Sequence, residues 1–264
     1  MIVIAPRSNL INADLSSTEL AGKDLYRSNL SGANLAGMNL KATGLLGCNL
    51  AGANLSRAIA QKADFRGADL TGADLTGADL TGAFLFRTNL QGATLTGTIL
   101  AEAALKLALY DSHTQWPEGF RYKSSGAVGP NATLSGAYLN TANLKGADLS
   151  GATMFGVYLS GTNLQGANLA NASLSGANLQ KALLTGASLK GANLGGAELQ
   201  SCDLRATNLT DVDFSAVGSI AGADFSGAIG LTDESRSKLL SHPSAELDEW
   251  NAFTRKTTRQ SLEG

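Results

Sequence analysis

Few residues of this 264-residue chain combine types and spacing that could do chemistry. Asp111 and His113 place a carboxylate and an imidazole two residues apart, which could support acid–base chemistry if further partners were present. The sequence has no nucleophile elbow, no glycine-rich phosphate loop and no other paired histidine and carboxylate constellation. We therefore predict that the protein is not an enzyme.

The cysteines and histidines lack the spacing of a metal site. Cys48 and Cys202 each lie two residues before a leucine, at a position that small residues occupy elsewhere in the chain. They are predicted to be buried substitutes for alanine rather than redox or metal-binding groups. His113 and His242 lie in different irregular segments. No metal and no cofactor is expected.

A repeat of five residues sets the position of all the remaining side chains. From Leu10 to Leu105 each fifth residue is leucine or phenylalanine, except Ala60, and a second run out of phase with the first extends from Leu134 to Phe214. A step of five would spiral these side chains around an α-helix and would alternate them between the two faces of a strand. A solenoid whose backbone bends after every repeat can turn all of them inward.

The repeats resemble the A(D/N)LXX unit of the pentapeptide-repeat family, as in Ala-Asp-Leu-Thr-Gly at residues 68–72 and Ala-Asn-Leu-Ala-Asn at residues 167–171. The resemblance covers about residues 8–109 and 132–230. It implies an all-β fold, a right-handed quadrilateral β-helix in which four pentapeptides make one coil, with coils about 4.8 Å apart. The core-repeat residues would include Leu70, Leu75, Leu80, Leu164, Leu169 and Leu174.

Four segments are predicted from the places where the repeats begin and stop. Residues 1–109 hold an N-terminal cap strand (residues 1–4) and the first repeat run, and residues 110–131 form an aromatic loop insert. Residues 132–230 hold the second run, and residues 231–264 form a C-terminal helical cap and a flexible tail. The insert resembles one found between repeat runs in cyanobacterial members of the family.

The C-terminal cap is predicted from helix start and stop signals. Thr232 is expected to N-cap a helix that Pro243 stops, and a second short helix is expected to follow through Trp250. The polar stretch from residue 254 to the end is expected to be loose. The apolar residues expected to plug the last coil are Leu239, Leu240, Leu247, Trp250 and Phe253.

Charge and hydropathy limit the classes of partner. The formal net charge is −2, which argues against direct binding of nucleic acid. The sequence shows no secretory signal and no run of apolar residues long enough to span a membrane. A cytoplasmic location without membrane association is the default expectation.

One outward face of the first run is predicted to differ from the other three. If residues twenty apart stack, bulky apolar side chains and arginines gather there, and we call this set the Arg/aromatic face. Such enrichment is typical of interface hot spots. Alternatively, this face merely tolerates sequence variation, and Arg66 and Arg87 lie over the aromatic rings of the face as exposed cation–π pairs. The members of the face are Tyr26, Arg27, Leu46, Arg66, Phe84, Phe86 and Arg87.

Two further aromatic groups stand out in the sequence. In the insert, Trp116 and Phe120 could bind a partner, because long loops on rigid scaffolds often do. The favoured alternative is that the rings of the insert pack back on the repeats and bridge the two runs, since exposed aromatics without a partner are unfavourable. In the second run, Tyr138 and Tyr158 are expected to stack beside Phe155.

These observations favour a non-catalytic scaffold that binds another protein, of unknown identity, through the Arg/aromatic face and with the insert as a second contact. The scaffold would be a monomer, or a homodimer formed through the C-terminal cap. An alternative follows from the resemblance, since some family members resemble B-form DNA and protect or inhibit DNA gyrase. A DNA-mimicking modulator of gyrase or of another DNA-binding protein needs a dense acidic surface, however. Here Asp64, Asp69, Asp74 and Asp79 would fall on four different faces.

Overall fold

The computed structural model describes residues 4–264, which form two compact units. The first unit ends at Val128, and the second comprises Gly129–Gly264. The cap strand predicted at residues 1–4 lies outside the described residues except for Ile4. No helix within residues 4–264 has the length and apolar character needed to cross a bilayer.

Each unit is a parallel β-solenoid with a coil of twenty residues. In most repeats the residue before the leucine forms a parallel bridge with its equivalent one coil away, so that Asn49 pairs with Asn29 on one side and Asp69 on the other. Backbone hydrogen bonds join the coils, as from Leu70 N–H to the Asn89 carbonyl at 2.8 Å. The interior is a continuous column of fully buried leucines that includes Leu70, Leu75, Leu80, Leu164, Leu169 and Leu174.

A tight turn follows each repeat leucine. The backbone N–H of Ala73 donates to the carbonyl of Leu70 at 3.0 Å, and Gly72 between them has a φ of 63°. A positive φ at the third residue of a turn is the type II geometry that favours glycine. Arg27 and Arg87 occupy the same turn position with φ values of 55° and 58°. The turn therefore aims these two arginines outward at the corners of the coil.

The small interior position before each leucine also accepts a hydroxyl or a thiol. Cys48 Sγ donates to the Leu25 carbonyl at 2.9 Å, and Cys202 Sγ to the Leu179 carbonyl at 2.8 Å. Burial raises the pKa of Cys48 to about 11 and that of Cys202 to about 12. The prediction that both cysteines are buried structural residues is confirmed.

The insert continues the solenoid of the first unit instead of forming a loop outside it. Leu109 bridges Val128 as well as Asn89, and Gln115 bridges Thr94, so residues 109–128 complete one more coil. Tyr110 fills the interior position that a leucine occupies in other coils. A short 3-10 turn spans Tyr122–Ser124.

The break in phase near the end of the second run is absorbed at one corner. Six residues, not five, separate Phe214 from Ile220. The Leu199 N–H still donates to the Ser219 carbonyl at 2.8 Å, and Asp203 still bridges Asp224. The extra residue thus widens one turn without ending the coil.

The elements after the repeats are α1 (Asp233–Leu240), α2 (Ser244–Leu247), β1 (Trp250–Asn251), β2 (Lys256–Thr257) and α3 (Thr258–Glu263). The Thr232 hydroxyl accepts from the Ser235 N–H at 3.1 Å, which confirms the predicted cap of α1. The second helix was predicted to reach Trp250 but ends at Leu247, because the chain then enters the antiparallel hairpin of β1 and β2.

Two predictions about the C-terminal cap are wrong. Trp250 and Phe253 do not plug the last coil, because the hairpin turns their side chains outward, with 53% and 65% of each residue exposed. The tail is not loose, because α3 begins with a capping box of Thr257 and Gln260 and buries Leu262 completely. Leu239, Leu247 and Leu262 supply the buried apolar residues of the cap.

Candidate interaction face

The column at the centre of the Arg/aromatic face is built by backbone pairing. Asp64 forms parallel bridges with Gly44 and Phe84, which places these three residues side by side on successive coils. Their neighbours two positions on, Leu46, Arg66 and Phe86, follow at the next corner. The register of twenty residues therefore gathers the members of the face on one side of the first unit.

Two arginines of the face lie against rings next to them in the chain. The Arg27 guanidinium carbon is 5.1 Å from the centre of the Tyr26 ring, and the Arg87 guanidinium carbon is 5.1 Å from the centre of the Phe86 ring. Both arginines are exposed, whereas both rings are half-buried. Each pair is a cation–π contact that leaves one side of the guanidinium open to solvent.

Arg66 makes a different contact from the one expected, because it lies over no ring of the face. Its Nε donates to Asp64 Oδ1 at 2.8 Å and its Nη2 to Asp64 Oδ2 at 2.6 Å. These bonds hold the pKa of Asp64 below its usual value and raise that of Arg66. The Arg66 side chain remains 52% exposed. The expectation of a cation–π contact holds for Arg87 and is wrong for Arg66.

The apolar part of the face is concentrated around one residue. Phe84 is 48% exposed, and it takes the strand position that asparagine or aspartate fills in most repeats. Leu46 is half-buried. The exposed Phe84 ring can pack against apolar side chains, while Arg66 one coil away and Arg87 in the same coil donate hydrogen bonds to carboxylates or carbonyls. This arrangement is suited to recognition of a protein surface.

The aromatic residues of the insert form a cluster. Trp116 stacks on Tyr122 with ring centres 5.3 Å apart and on Phe120 at 5.6 Å, and Tyr110 meets Trp116 edge-on at 5.5 Å. The rings thus pack against one another and against the interior residue Tyr110, in line with the expectation that they pack back on the repeats. Trp116 Nε1 is buried and has no hydrogen-bond partner among the described residues. Trp116 and Phe120 are half-buried and so offer ring edges rather than projecting side chains.

The acid–base candidate pair serves the fold. Asp111 Oδ1 accepts from the N–H groups of Gly92, His113 and Thr114 at 2.9 to 3.0 Å. Burial raises the pKa of Asp111, but these hydrogen bonds together lower it by more, so the pKa lies below its usual value. The His113 imidazole is largely exposed. The described residues contain no group of three or more histidine, cysteine, aspartate or glutamate side chains able to hold a metal ion.

Sequence reasoning missed Asp64 as a member of the face. The available signal was the sequence Asp-Phe-Arg at residues 64–66. It places the carboxylate and the guanidinium on either side of an inward phenylalanine, so that the turn of the backbone brings them into contact. The stacking of Tyr138 on Tyr158 was found correctly, with ring centres 4.7 Å apart and the planes 1° from parallel. Tyr138, Phe155 and Tyr158 are all exposed.

Comparison with known proteins places this chain among repeat proteins. The family model described as "Pentapeptide repeats" matches in eight copies over residues 8–43 and 48–85 and, in overlapping stretches, over residues 131–229, which is more than half of the chain. A search of curated proteins gave no significant match.

Several solved structures are similar to this chain. The pentapeptide repeat protein Rfr23 from the cyanobacterium Cyanothece 51142 is 44% identical, over 36% of this chain and 64% of its own, with a TM-score of 0.35. HetL, a pentapeptide repeat protein involved in heterocyst differentiation regulation in the cyanobacterium Nostoc sp. strain PCC 7120, is 30% identical over 84% of this chain and 83% of its own, with a TM-score of 0.28. QnrB1, a plasmid-mediated fluoroquinolone resistance protein, is 20% identical over 83% of this chain and 90% of its own, with a TM-score of 0.32.

These matches indicate no enzyme family. The matched stretches contain repeat leucines and corner glycines that build the coils described above. The protein therefore belongs to the pentapeptide-repeat family.

Proposed function

We propose that this protein is a non-catalytic scaffold, a right-handed quadrilateral β-helix that docks another protein on the Arg/aromatic face. The observation that carries the proposal is the exposed Phe84 ring, which is paired across one coil with Asp64, the partner of Arg66, and lies three residues before Arg87 in its own coil. Aromatic rings and arginines dominate the binding energy of protein interfaces, whereas a solvated surface needs neither. The proposed partner is a protein, with no direct nucleic acid and no membrane, in the cytoplasm.

The rigidity of the coils supports this role. Each corner of the face is held by coil-to-coil hydrogen bonds, such as those from Arg27 N–H to the Leu46 carbonyl at 3.0 Å and from Gly67 N–H to the Phe86 carbonyl at 3.0 Å. Side chains displayed on such a frame lose little conformational freedom when a partner binds. Trp116 and Phe120 in the insert are a second, smaller candidate contact.

The charges of the face do not favour mimicry of DNA. The Asp64 carboxylate is paired with Arg66, so this corner presents no net negative charge. The formal net charge of −2 gives a weak field compared with the phosphate backbone. The proposed partner therefore offers apolar and acidic groups, rather than a surface that binds DNA.

The test compares two triple variants in affinity capture from lysate of the source organism. Replacement of Arg66, Phe86 and Arg87 by alanine should leave the fold intact, with a melting temperature within about 5 °C of wild type, because both arginines are exposed and the half-buried Phe86 ring lies outside the leucine core. A partner retained by wild type should be lost.

The control removes the same kinds of side chain from other corners of the first unit. Arg57, Ile59 and Ile99 are one exposed cation and two half-exposed apolar residues away from the strand that carries Asp64 and Phe84. Their replacement by alanine should retain the partner. Equal retention by both variants would refute the Arg/aromatic face as the binding site, and recovery of gyrase subunits by wild type would favour the DNA-mimic alternative.

A further inference from the structure

A cavity of about 270 Å³ lies in the second unit, between the hairpin of β1 and β2 and the side of the solenoid. The solenoid contributes residues from two successive coils, and the hairpin contributes its first strand and its turn. This cavity is separate from the Arg/aromatic face, which belongs to the first unit. Its main lining residues are Lys181, Leu183, Ser201, Trp250, Asn251 and Phe253.

The hairpin is fixed against the coils, so the cavity is formed in advance of any ligand. Asn251 is buried, and its Nδ2 donates to the Gly222 carbonyl at 2.7 Å. Its Oδ1 accepts from the N–H groups of Phe253 at 2.9 Å and Thr254 at 3.1 Å, which shapes the turn. On the second strand, Lys256 Nζ donates to Ser226 Oγ at 2.9 Å.

The apolar lining suits a planar ring. Leu183 replaces the asparagine or aspartate that most repeats have at this outward position. The side chains of Trp250 and Phe253 remain largely exposed although they border the cavity. An apolar cavity of about 150 Å³ can hold benzene, so the present volume accommodates an aromatic ring with a short substituent. Contact between aromatic rings is favourable beyond the area that it buries.

The polar groups of the lining that are free to act are both donors. Lys181 has no carboxylate within 4.0 Å among residues 4–264, and the Ser201 hydroxyl makes no hydrogen bond with the described residues. The side-chain atoms of Asn251 are already used to hold the hairpin. An ammonium and a hydroxyl beside an apolar cavity match the oxygen atoms of an anionic group.

We propose that this cavity binds a small aromatic carboxylate. The ring lies against Trp250 and Phe253 over Leu183, and the carboxylate accepts hydrogen bonds from Lys181 and Ser201. This binding is independent of the scaffold role proposed above, because it uses other residues in the other unit.

The test is ligand-observed NMR on the full chain with 3-phenylpropionate as the probe, at concentrations up to about 5 mM, several times a dissociation constant of about 1 mM. Two matched probes separate the parts of the proposal. 3-Phenylpropionamide keeps the ring without the charge, and hexanoate keeps the charge without the ring. Saturation transfer to the phenyl protons is expected for 3-phenylpropionate, with each matched probe binding at least about threefold more weakly.

Three single variants locate the probe. Lys181→Gln should weaken binding of 3-phenylpropionate about three- to fivefold, and Phe253→Ala should remove detectable binding. Both side chains are exposed, so neither change should prevent folding; because the Phe253 ring also lies 6.0 Å from the Arg205 guanidinium carbon, a thermal melt of Phe253→Ala checks that the hairpin is retained. Lys190→Gln removes an exposed lysine of the same unit that does not line the cavity, and it should leave binding unchanged.

Several results would overturn the proposal. These are no saturation transfer to 3-phenylpropionate, equal binding of the amide or of hexanoate, and equal weakening by Lys181→Gln and Lys190→Gln. The last outcome would mean that the probe responds to general positive charge rather than to this cavity.

Discussion

The same charged corner occurs once in each unit, in opposite surroundings. Arg66 pairs with Asp64 in the first unit, and Arg205 pairs with Asp203 in the second. In both pairs Nε donates to Oδ1 at 2.8 Å, and Nη2 donates to Oδ2 at 2.6 Å in the first unit and 2.8 Å in the second. The Asp64 side chain is 23% exposed, whereas that of Asp203 is 1% exposed. The repeat therefore determines the geometry of the pair, but not its environment.

The difference comes from residues whose identity the repeat motif does not fix. Thr185 donates its hydroxyl to Asp203 Oδ2 at 2.8 Å, and the Phe253 ring of the hairpin lies 6.0 Å from the Arg205 guanidinium carbon. In the first unit no hairpin lies over the corresponding corner within the described residues, and Arg66 is left available to a partner. The Asp203–Arg205 pair contacts the hairpin through Phe253, whereas the Asp64–Arg66 pair forms part of the candidate interface.

The largest expected effect comes from removing each carboxylate. Asp203→Ala should lower the free energy of unfolding by about 2 kcal/mol, because it removes a buried carboxylate that accepts hydrogen bonds from both Arg205 and Thr185 and leaves a small void in its place. Asp64→Ala should cost at most about 1 kcal/mol, because water can solvate Arg66. Urea unfolding of both variants beside wild type measures the difference.

This comparison is internally controlled. Each aspartate also accepts from the backbone N–H of its arginine, at 3.1 Å in the first unit and 3.2 Å in the second, so both variants lose the same local contact. The remaining gap reports the environment alone. Equal losses in the two units would mean that the hairpin contributes nothing to the stability of the covered pair.

A smaller effect is expected at the residue that follows each arginine. Gly67 and Ala206 occupy the same turn position, with φ values of 62° and 55°. Ala206→Gly should stabilise the protein by about 1 kcal/mol, and Gly67→Ala should destabilise it by a similar amount, because alanine is strained at positive φ. A Cβ at Gly67 would meet nothing within 4 Å, so the cost there is that of the backbone alone.

Thermal melts of the two variants check these signs. If Ala206→Gly destabilises the protein instead, the methyl group of Ala206 makes packing contacts that outweigh the strain of its turn. Such a result would show that the two corners differ in packing as well as in cover.

The core was predictable from sequence because it follows from one strict period. A leucine at every fifth position has a single solution in which all side chains point inward, and the buried leucines of both units follow it. The contact of Arg66 with Asp64 was not predicted, because residues two apart meet only around a corner whose shape the sequence does not display. Rings such as Trp250 and Phe253 were assigned to the interior on hydrophobicity alone.

The C-terminal tail was missed for a related reason. Its order depends on single long-range hydrogen bonds, from Thr258 Oγ1 to the Ile220 carbonyl at 3.0 Å and from Phe225 N–H to Ser261 Oγ at 3.1 Å. No local pattern records such contacts. The capping box of Thr257 and Gln260 was the one readable signal of α3.

The smallest expected effect, and the one that separates charge from shape, is the dependence on pH. Burial raises the pKa of Asp203, but hydrogen bonds from Arg205 and Thr185 lower it by more than burial raises it, so the pKa lies below its usual value. The Asp203 carboxyl group therefore binds its proton less tightly in the folded protein than in the unfolded chain. The resulting stabilisation is present above the unfolded pKa of about 3.9, and it is lost as the pH falls through the lower folded value.

Asp203→Asn keeps the shape of the side chain and removes this linkage. The gap in free energy of unfolding between wild type and Asp203→Asn should therefore shrink as the pH falls, in urea titrations at about pH 7, 5 and 3. Asp64→Asn should show a change of the same sign but smaller, because the pKa of Asp64 is also lowered by Arg66 yet solvent screens that pair. A gap at Asp203 that stays constant down to about pH 3 would show that packing, not charge, stabilises the covered corner, and the contrast between the two units would then be steric rather than electrostatic.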